Sequence, residues 1–170
     1  LNRVFYTDSG STAVEVALKM AFQYQQQLGH TQRTRFAALS EAYHGDTIGS
    51  VSVGGIDLFH SIYRPMLFDA VRIPCPTQPD AEVEAQHLSE ARALFETHGD
   101  QLAALVVEPL VQGAAGMRMH SESFLRELLT MARQAGALLI VDEVATGIGR
   151  TGTLFAMEQV GMRPDLLCLA

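Results

Sequence analysis

The chain has 170 residues, of which 48% are hydrophobic, and its formal net charge is -7. This length and composition are typical of a single globular domain with one buried core. The excess of acidic residues argues against a nucleic-acid partner, because phosphate backbones bind clustered lysines and arginines. No apolar run approaches the roughly 18 residues that span a bilayer, so we expect no membrane partner either.

Short apolar runs alternate with longer segments of helical periodicity along the chain. The runs predict strands at 4–6, 36–39, 70–73, 102–107, 138–141 and 166–169, and the periodicity predicts helices at 13–28, 83–95 and 124–135. Shorter helices are expected after His44, Asp57 and Thr153. Because runs such as 138–141 do not alternate with polar residues, we expect an α/β fold with a mostly parallel sheet and helices on both faces.

The first and last predicted strands lie at the two ends of the chain. Natural domains seldom begin and end inside such elements, so we expect the 170 residues to be a fragment cut from a longer protein. The two cysteines, Cys75 and Cys168, are far apart and lie in no zinc-binding spacing, so we expect neither a disulfide framework nor a metal site. Free cysteines are typical of a reducing compartment, which predicts a cytoplasmic protein.

Polar or glycine-rich segments follow four of the predicted strands. They read TDSGST after the first, SEAYHGD after the second, EPLVQGAAG after the fourth and DEVATG after the fifth. In an open parallel sheet, ligands bind outside the carboxyl ends of the strands. The four segments therefore predict one site at that edge of the sheet.

The segment DSGSTAVEVALK, residues 8–19, has the pattern of a helix start that binds an anion. Gly10 permits a tight turn, and Thr12 and Glu15 have the spacing of a capping box. The free amides of a helix N-terminus hold a phosphate without requiring a lysine or arginine. The alternative is that Thr12 and Glu15 only cap an ordinary helix.

Two other phosphate-binding motifs do not fit. The glycines at 147, 149 and 152 match GxGxxG, but they follow the fifth predicted strand and precede only a short helix, whereas a dinucleotide fingerprint opens a long helix. The one lysine, Lys19, lies deep in a predicted helix and follows no glycine, so the chain has no P-loop. We therefore expect neither a Rossmann oxidoreductase nor an ATPase.

Asp142 ends a predicted buried strand, where an unpaired charge is costly, so it should face a cation or a protonated partner. Pyridoxal phosphate needs such a carboxylate, because its ring withdraws electrons only while the ring nitrogen is protonated. Gly10 and Ser11 would take the phosphate, and Tyr43 would offer an aromatic face to the ring. The alternative is that Asp142 is a structural acid that caps the next turn.

Four segments, in this order along the chain, resemble the class III pyridoxal-phosphate aminotransferases: YTDSGSTAVEVALKMAFQY, YHGDTIGSVSVGG, EPLVQGAAGM and LLIVDEVATGIGRTG. The similarity extends over essentially the whole chain and implies an incomplete large domain of a fold-type-I enzyme. It implies amino transfer between a small-molecule amino donor and a keto acceptor, with pyridoxal 5'-phosphate as cofactor. It also implies a homodimer for the full-length protein.

Carried over motif by motif, the resemblance implies that Gly10 and Ser11 bind the cofactor phosphate. Tyr43 would stack on one face of the pyridine ring, Val144 would pack on the other, and Asp142 would pair with the ring nitrogen. These are the residues that the resemblance places directly on the cofactor.

The resemblance further implies that His44 and Gly45 shape the turn after the aromatic residue. Glu108 resembles the family's active-site glutamate, although a strand-end acid before Pro109 is the alternative. The small domain and the Schiff-base lysine would lie outside this chain, with the lysine just beyond Ala170. Without that amine the 170 residues alone are expected to be inactive, at most a cofactor-binding module. Within the family, the resemblance implies amino transfer from S-adenosylmethionine to 8-amino-7-oxononanoate, with ornithine, 4-aminobutyrate or another ω-amine as the alternative.

Overall fold

A computed structural model describes residues 3–57 and 61–170 of the protein. The strands are β1 (Arg35–Leu39), β2 (Ala70–Ile73), β3 (Leu102–Val107), β4 (Val111–Gln112), β5 (Arg118–Met119), β6 (Leu138–Asp142) and β7 (Leu166–Cys168). The helices are α1 (Gly10–Gln27), α2 (Ile48–Val53), α3 (Ala81–His98), α4 (Glu122–Gln134) and α5 (Met157–Val160), with 3₁₀ turns at Ser61–Met66 and Gly99–Gln101.

Five strands form one sheet in the order β2-β1-β3-β6-β7, and every pairing in it is parallel. The central strand β3 is buried along its whole length, which is why its sequence shows no alternation of apolar and polar residues. Strands β4 and β5 form a separate antiparallel pair after β3. This topology confirms the predicted α/β fold with a mostly parallel sheet.

Helices cover both faces of the sheet and form two apolar cores with it. On one face, α1 packs Val14 and Leu18 against alternate strand residues such as Phe36 and Val106. On the other face, α3, α4 and α5 pack against the intervening strand residues, including Leu105. Successive strand residues thus point into different cores, as the pleat requires.

The strand predicted at 4–6 is wrong within the described residues. This segment is extended but pairs with no strand there, and Val4, Phe5 and Tyr6 are 77%, 64% and 89% exposed. Apolar residues favour a strand only where a neighbouring strand accepts the backbone hydrogen bonds. The other predicted strands of the sheet are found within one residue of their expected bounds.

The predicted capping box of α1 is also misplaced. Ser9 is the N-cap, because its hydroxyl accepts the amide of Thr12 while the Thr12 hydroxyl accepts the amide of Ser9. The helix therefore begins at Gly10, three residues before the predicted start. Across the described residues, no helix has the length and apolarity to traverse a lipid bilayer.

Candidate functional site

The loops that follow β1, β3 and β6 meet at the carboxyl edge of the sheet. The loop after β1 passes over the end of β3, where the amide of Tyr43 donates to Oε2 of Glu108 at 3.3 Å. It continues to β6, where Nδ1 of His44 lies 2.8 Å from Oδ2 of Asp142. Residues 65 and 98 positions apart in the sequence are thereby joined, as the strand-end argument predicts.

The first turn of α1 lies against the same loops. A Cβ atom built on Gly10 would stand 2.8 Å from Cγ2 of Val144, so only glycine allows this approach. Gly45 has a φ of +108°, and a Cβ atom there would stand 2.5 Å from Cβ of Ser11. These two glycines bring the start of α1 into contact with both the β1 loop and the β6 loop.

The amides at the start of α1 are available to an anion. Ser9 accepts the amides of Thr12 and Ala13, through its hydroxyl and its carbonyl. The amides of Gly10 and Ser11 come earlier in the same turn, where a helix provides no internal acceptor. A phosphate seated there would receive two main-chain donors and the positive end of an 18-residue helix.

Asp142 is 5% exposed, and two hydrogen bonds orient its carboxylate. The imidazole of His44 donates to Oδ2, because a carboxylate only accepts, and the amide of Val144 donates to Oδ1 at 3.1 Å. An ionised carboxylate accepts roughly four hydrogen bonds, so this one retains capacity for a protonated ring nitrogen. These residues therefore fit the predicted cofactor, because a buried, oriented carboxylate lies near the close contacts made by Gly10 and Gly45.

Glu108 is buried beneath the loop that carries Tyr43 and His44. Its Oε1 accepts the amide of Gly113 at 3.3 Å, opposite the bond from Tyr43 to Oε2. Burial raises the pKa of Glu108, while His44 and the two amides pull it partly back. The carboxyl group therefore sits within the site but is held by main-chain donors.

Tyr43 is half-buried and is held at both ends. Its hydroxyl donates to Oδ2 of Asp46 at 2.9 Å, and its amide bonds to Glu108. Burial, with a smaller contribution from Asp46, raises the pKa of the Tyr43 hydroxyl. The ring is thus fixed in direction at the carboxyl edge, where an aromatic face could meet a planar ligand.

The sequence analysis missed the role of Glu143, the second of the two adjacent carboxylates after β6. Glu143 is 1% exposed, and its side chain accepts the amides of Ala156 and Met157, both at 2.9 Å. It therefore caps the start of α5, whereas Asp142 faces the site. Alternation along a strand is the signal that could have separated the two roles, since neighbouring side chains point to opposite faces.

Glu15 was also misread, because it caps a different helix from its own. Its Oε2 accepts the hydroxyl of Thr47 at 2.7 Å and the amides of Gly49 at 2.9 Å and Ser50 at 3.3 Å. Thr47 is the N-cap residue of α2, and Gly49 and Ser50 lie in its first turn. No local sequence signal indicates this contact, since the residues are more than 30 positions apart.

The rejected phosphate motifs remain unsupported by the geometry. The glycines at 149 and 152 have positive φ angles in an irregular loop, and the helix that follows, α5, has only four residues. Lys19 is exposed about two turns along α1, away from the strand ends. It therefore cannot take the place of a lysine at the carboxyl edge.

Comparison with known proteins places these features in a family. The family model described as Aminotransferase class-III matches residues 2–170. Adenosylmethionine-8-amino-7-oxononanoate aminotransferases from Nitratidesulfovibrio vulgaris and Geobacter sulfurreducens are 55% and 46% identical over the whole chain. The chain spans only 33% and 39% of their respective lengths.

Solved structures give the same result. The adenosylmethionine-8-amino-7-oxononanoate aminotransferase from Methanocaldococcus jannaschii matches 99% of this chain with a TM-score of 0.89 and 37% identity, over 38% of its own chain. An (S)-enantioselective omega-transaminase from Thermomicrobium roseum matches 96% of this chain with a TM-score of 0.90 and 32% identity, again over 38% of its own chain.

Proposed function

Because the chain belongs to the class-III aminotransferase family, we propose that it forms part of the cofactor-binding large domain of a pyridoxal-phosphate-dependent aminotransferase. The observation that carries the proposal is the placement of Asp142 and the start of α1 at one edge of the sheet. The contact between Gly10 and Val144 joins them, since Val144 lies two residues after Asp142.

The residues fit pyridoxal phosphate in the following way. The amides of Gly10 and Ser11 would bind its phosphate, Tyr43 and Val144 would hold the two faces of its ring, and Asp142 would hold the proton on its ring nitrogen. When bound, the cofactor supplies an electron sink for amino-group transfer.

Three neighbouring residues support this arrangement: His44, Gly45 and Glu108. His44 would orient the carboxylate of Asp142 through their hydrogen bond. Gly45 permits the close approach to Ser11, and Glu108 holds the loop through the amide of Tyr43. We propose that the lysine needed to hold the cofactor covalently lies outside these 170 residues, so that the chain alone is inactive.

For the substrate, we propose amino transfer from S-adenosylmethionine to 8-amino-7-oxononanoate, giving 7,8-diaminononanoate for biotin synthesis. The support is that relatives from several organisms with this printed name are 55% to 42% identical to the chain. Ornithine, 4-aminobutyrate or another ω-amine is the alternative donor, since omega-transaminases share the fold. We further propose a cytoplasmic homodimer.

The first experiment is a cofactor titration of the full-length protein. We expect the visible absorbance of pyridoxal phosphate to change on binding and NAD to produce no response. An NAD response without a pyridoxal one would reject the proposed function. Turnover with S-adenosylmethionine and 8-amino-7-oxononanoate, compared with ornithine and 4-aminobutyrate as donors, then tests the substrate.

The second experiment tests Asp142 against its neighbour. We expect Asp142→Asn to lower kcat at least about a hundredfold, because a neutral amide no longer holds the ring proton through its charge. Glu143→Gln is the matched control, since it removes the same charge one residue away. It should lower the thermal stability through the cap of α5 and leave kcat within a few-fold of the parent. Equal losses of kcat in both variants would contradict the assignment of Asp142.

A further inference from the structure

Helix α2 begins directly after the loop that carries Tyr43, His44 and Gly45, yet its own sequence does not cap it. Its N-cap residue, Thr47, makes no side-chain capping bond, and its first turn contains no acidic residue. A six-residue helix whose own residues do not bind the amides of its first turn is only marginally stable. Its position must therefore be fixed from outside.

Glu15 of α1 supplies the missing cap. Its carboxylate accepts the amides of Gly49 and Ser50 and the hydroxyl of Thr47. Hydrogen bonds to an ionised acceptor are about twice as strong as those between neutral groups. A Cβ atom on Gly49 would stand 2.6 Å from both carboxylate oxygens, so a larger residue there would displace the carboxylate of Glu15.

A second set of bonds links the same turn of α2 to the phosphate end of α1. The amide of Thr47 donates to Oγ of Ser11 at 2.9 Å, and the hydroxyl of Ser50 donates to the carbonyl of Ser11 at 3.0 Å. Ser11 and Glu15 are four residues apart, so they lie on one face of α1. That face therefore binds Thr47, Gly49 and Ser50 at the start of α2.

The loop between β1 and α2 is short, and both of its ends are now fixed. His44 lies three residues before Thr47, and Gly45 packs directly on Ser11. A shift of Thr47 away from α1 would move Gly45, and with it the rings of Tyr43 and His44. We infer that Glu15 is a positioning residue that sets the geometry of the cofactor site through α2 without contacting the cofactor. This inference rests on the proposed function.

The test uses the full-length protein stripped of cofactor and titrated with pyridoxal phosphate. Glu15→Ala should raise the dissociation constant about tenfold or more and change the visible circular dichroism of the bound cofactor. Glu15→Gln, which retains a weaker acceptor, should shift both in the same direction by less. Gly49→Ala should reproduce the effect because it displaces the Glu15 carboxylate.

Two controls separate positioning from general destabilisation. Glu84 of α3 likewise holds the start of a neighbouring helix, α4, on the other face of the sheet, where it accepts the amide and hydroxyl of the N-cap residue Ser121 at 2.7 and 2.6 Å. Glu84→Ala should lower the melting temperature and leave the dissociation constant within twofold. Thr47→Ser should retain the parent affinity, whereas Thr47→Val should lose it.

The outcomes are distinct. Parent-like affinity and circular dichroism in Glu15→Ala would overturn the inference, and so would an equal loss of affinity in Glu84→Ala. A parent protein that does not bind pyridoxal phosphate would instead overturn the proposed function.

Discussion

His120 shows how strongly burial acts on a single ionisable residue. Its imidazole is 3% exposed, and its Nδ1 lies 3.7 Å from Sγ of Cys75. Within the described residues its Nε2 has no hydrogen-bond partner. Burial lowers the pKa of His120 from the ordinary 6.5 to about 4, because the protonated ring would lose its hydration.

This shift predicts an acid-sensitive stability. Between pH 6.5 and about 4 the unfolded chain binds a proton at His120 that the folded protein does not. The free energy of unfolding is therefore highest above pH 6.5, and it falls by roughly 3 kcal/mol in total as the pH is lowered. We expect His120→Gln to flatten the fall of the melting temperature over this range in the full-length protein.

The control for this prediction is His30→Gln, which alters an exposed histidine. It should leave the acid dependence of the melting temperature unchanged. A His120→Gln protein with the parent's dependence would show that other groups cause the loss of stability in acid.

At the scale of the elements, Arg33 joins several chain segments at the amino edge of the sheet. Its guanidinium donates to the carbonyls of Gly99 and Leu102 through Nη1 and of Ala135 through Nη2, at 2.9, 2.8 and 2.7 Å. These carbonyls belong to the ends of α3 and α4 and to the start of β3. One side chain thus fixes the separation of two helices from the sheet.

We expect Arg33→Ala to lower the free energy of unfolding by about 3 kcal/mol, because three partly buried carbonyls lose the donors that Arg33 supplies. Arg33→Lys should restore little of this, since an ammonium group cannot span three acceptors as a planar guanidinium does. Chemical denaturation of the full-length protein measures both values. Full rescue by lysine would show that only the charge matters.

The elements also show what the sequence can and cannot predict. Residues 102–107 form a strand as predicted, because burial on both faces gives an uninterrupted apolar run. Residues 70–73 also form a strand as predicted, but at the edge of the sheet, where buried residues alternate with partly buried ones that include Arg72. The run at 4–6 is equally apolar, but a strand needs a partner, and the sequence does not state whether one is near. Helix α1 begins at Gly10 because the hydroxyl of Ser9 caps it, whereas the sequence analysis assigned the capping role to Thr12.

The site was predictable to the extent that it lies at strand ends. Asp142, His44 and Glu108 follow three strands of a parallel sheet, and the fold brings them together for that reason alone. The contacts of Glu15 with α2 and of Glu143 with α5 were not predictable, because they depend on how helices pack. Long-range caps of this kind leave no local pattern.

For the whole molecule, stability comes chiefly from two apolar cores that share one sheet. The larger core contains α4, whose residue Leu128 is fully buried together with Phe124. Burial of this kind is worth about 25 cal/mol per Å² of apolar surface, and a cavity adds a further cost when a side chain is shortened.

Leu128→Ala is therefore expected to lower the free energy of unfolding of the full-length protein by about 2–5 kcal/mol. The matched control is Leu28→Ala, which shortens a side chain that is 54% exposed at the end of α1 and should cost well under 1 kcal/mol. Denaturant titration distinguishes the two. Similar costs would mean that the core of α4 relaxes to fill the cavity.

The strand order has one more consequence. Since β3 separates β1 from β6, the bond between His44 and Asp142 forms a bridge above the end of β3, and Glu108 lies under it. Glu108 is 4% exposed, so water has little direct access to its carboxyl group. The rate at which Glu108 exchanges a proton with solvent should therefore follow the rate at which the hydrogen bond between His44 and Asp142 opens.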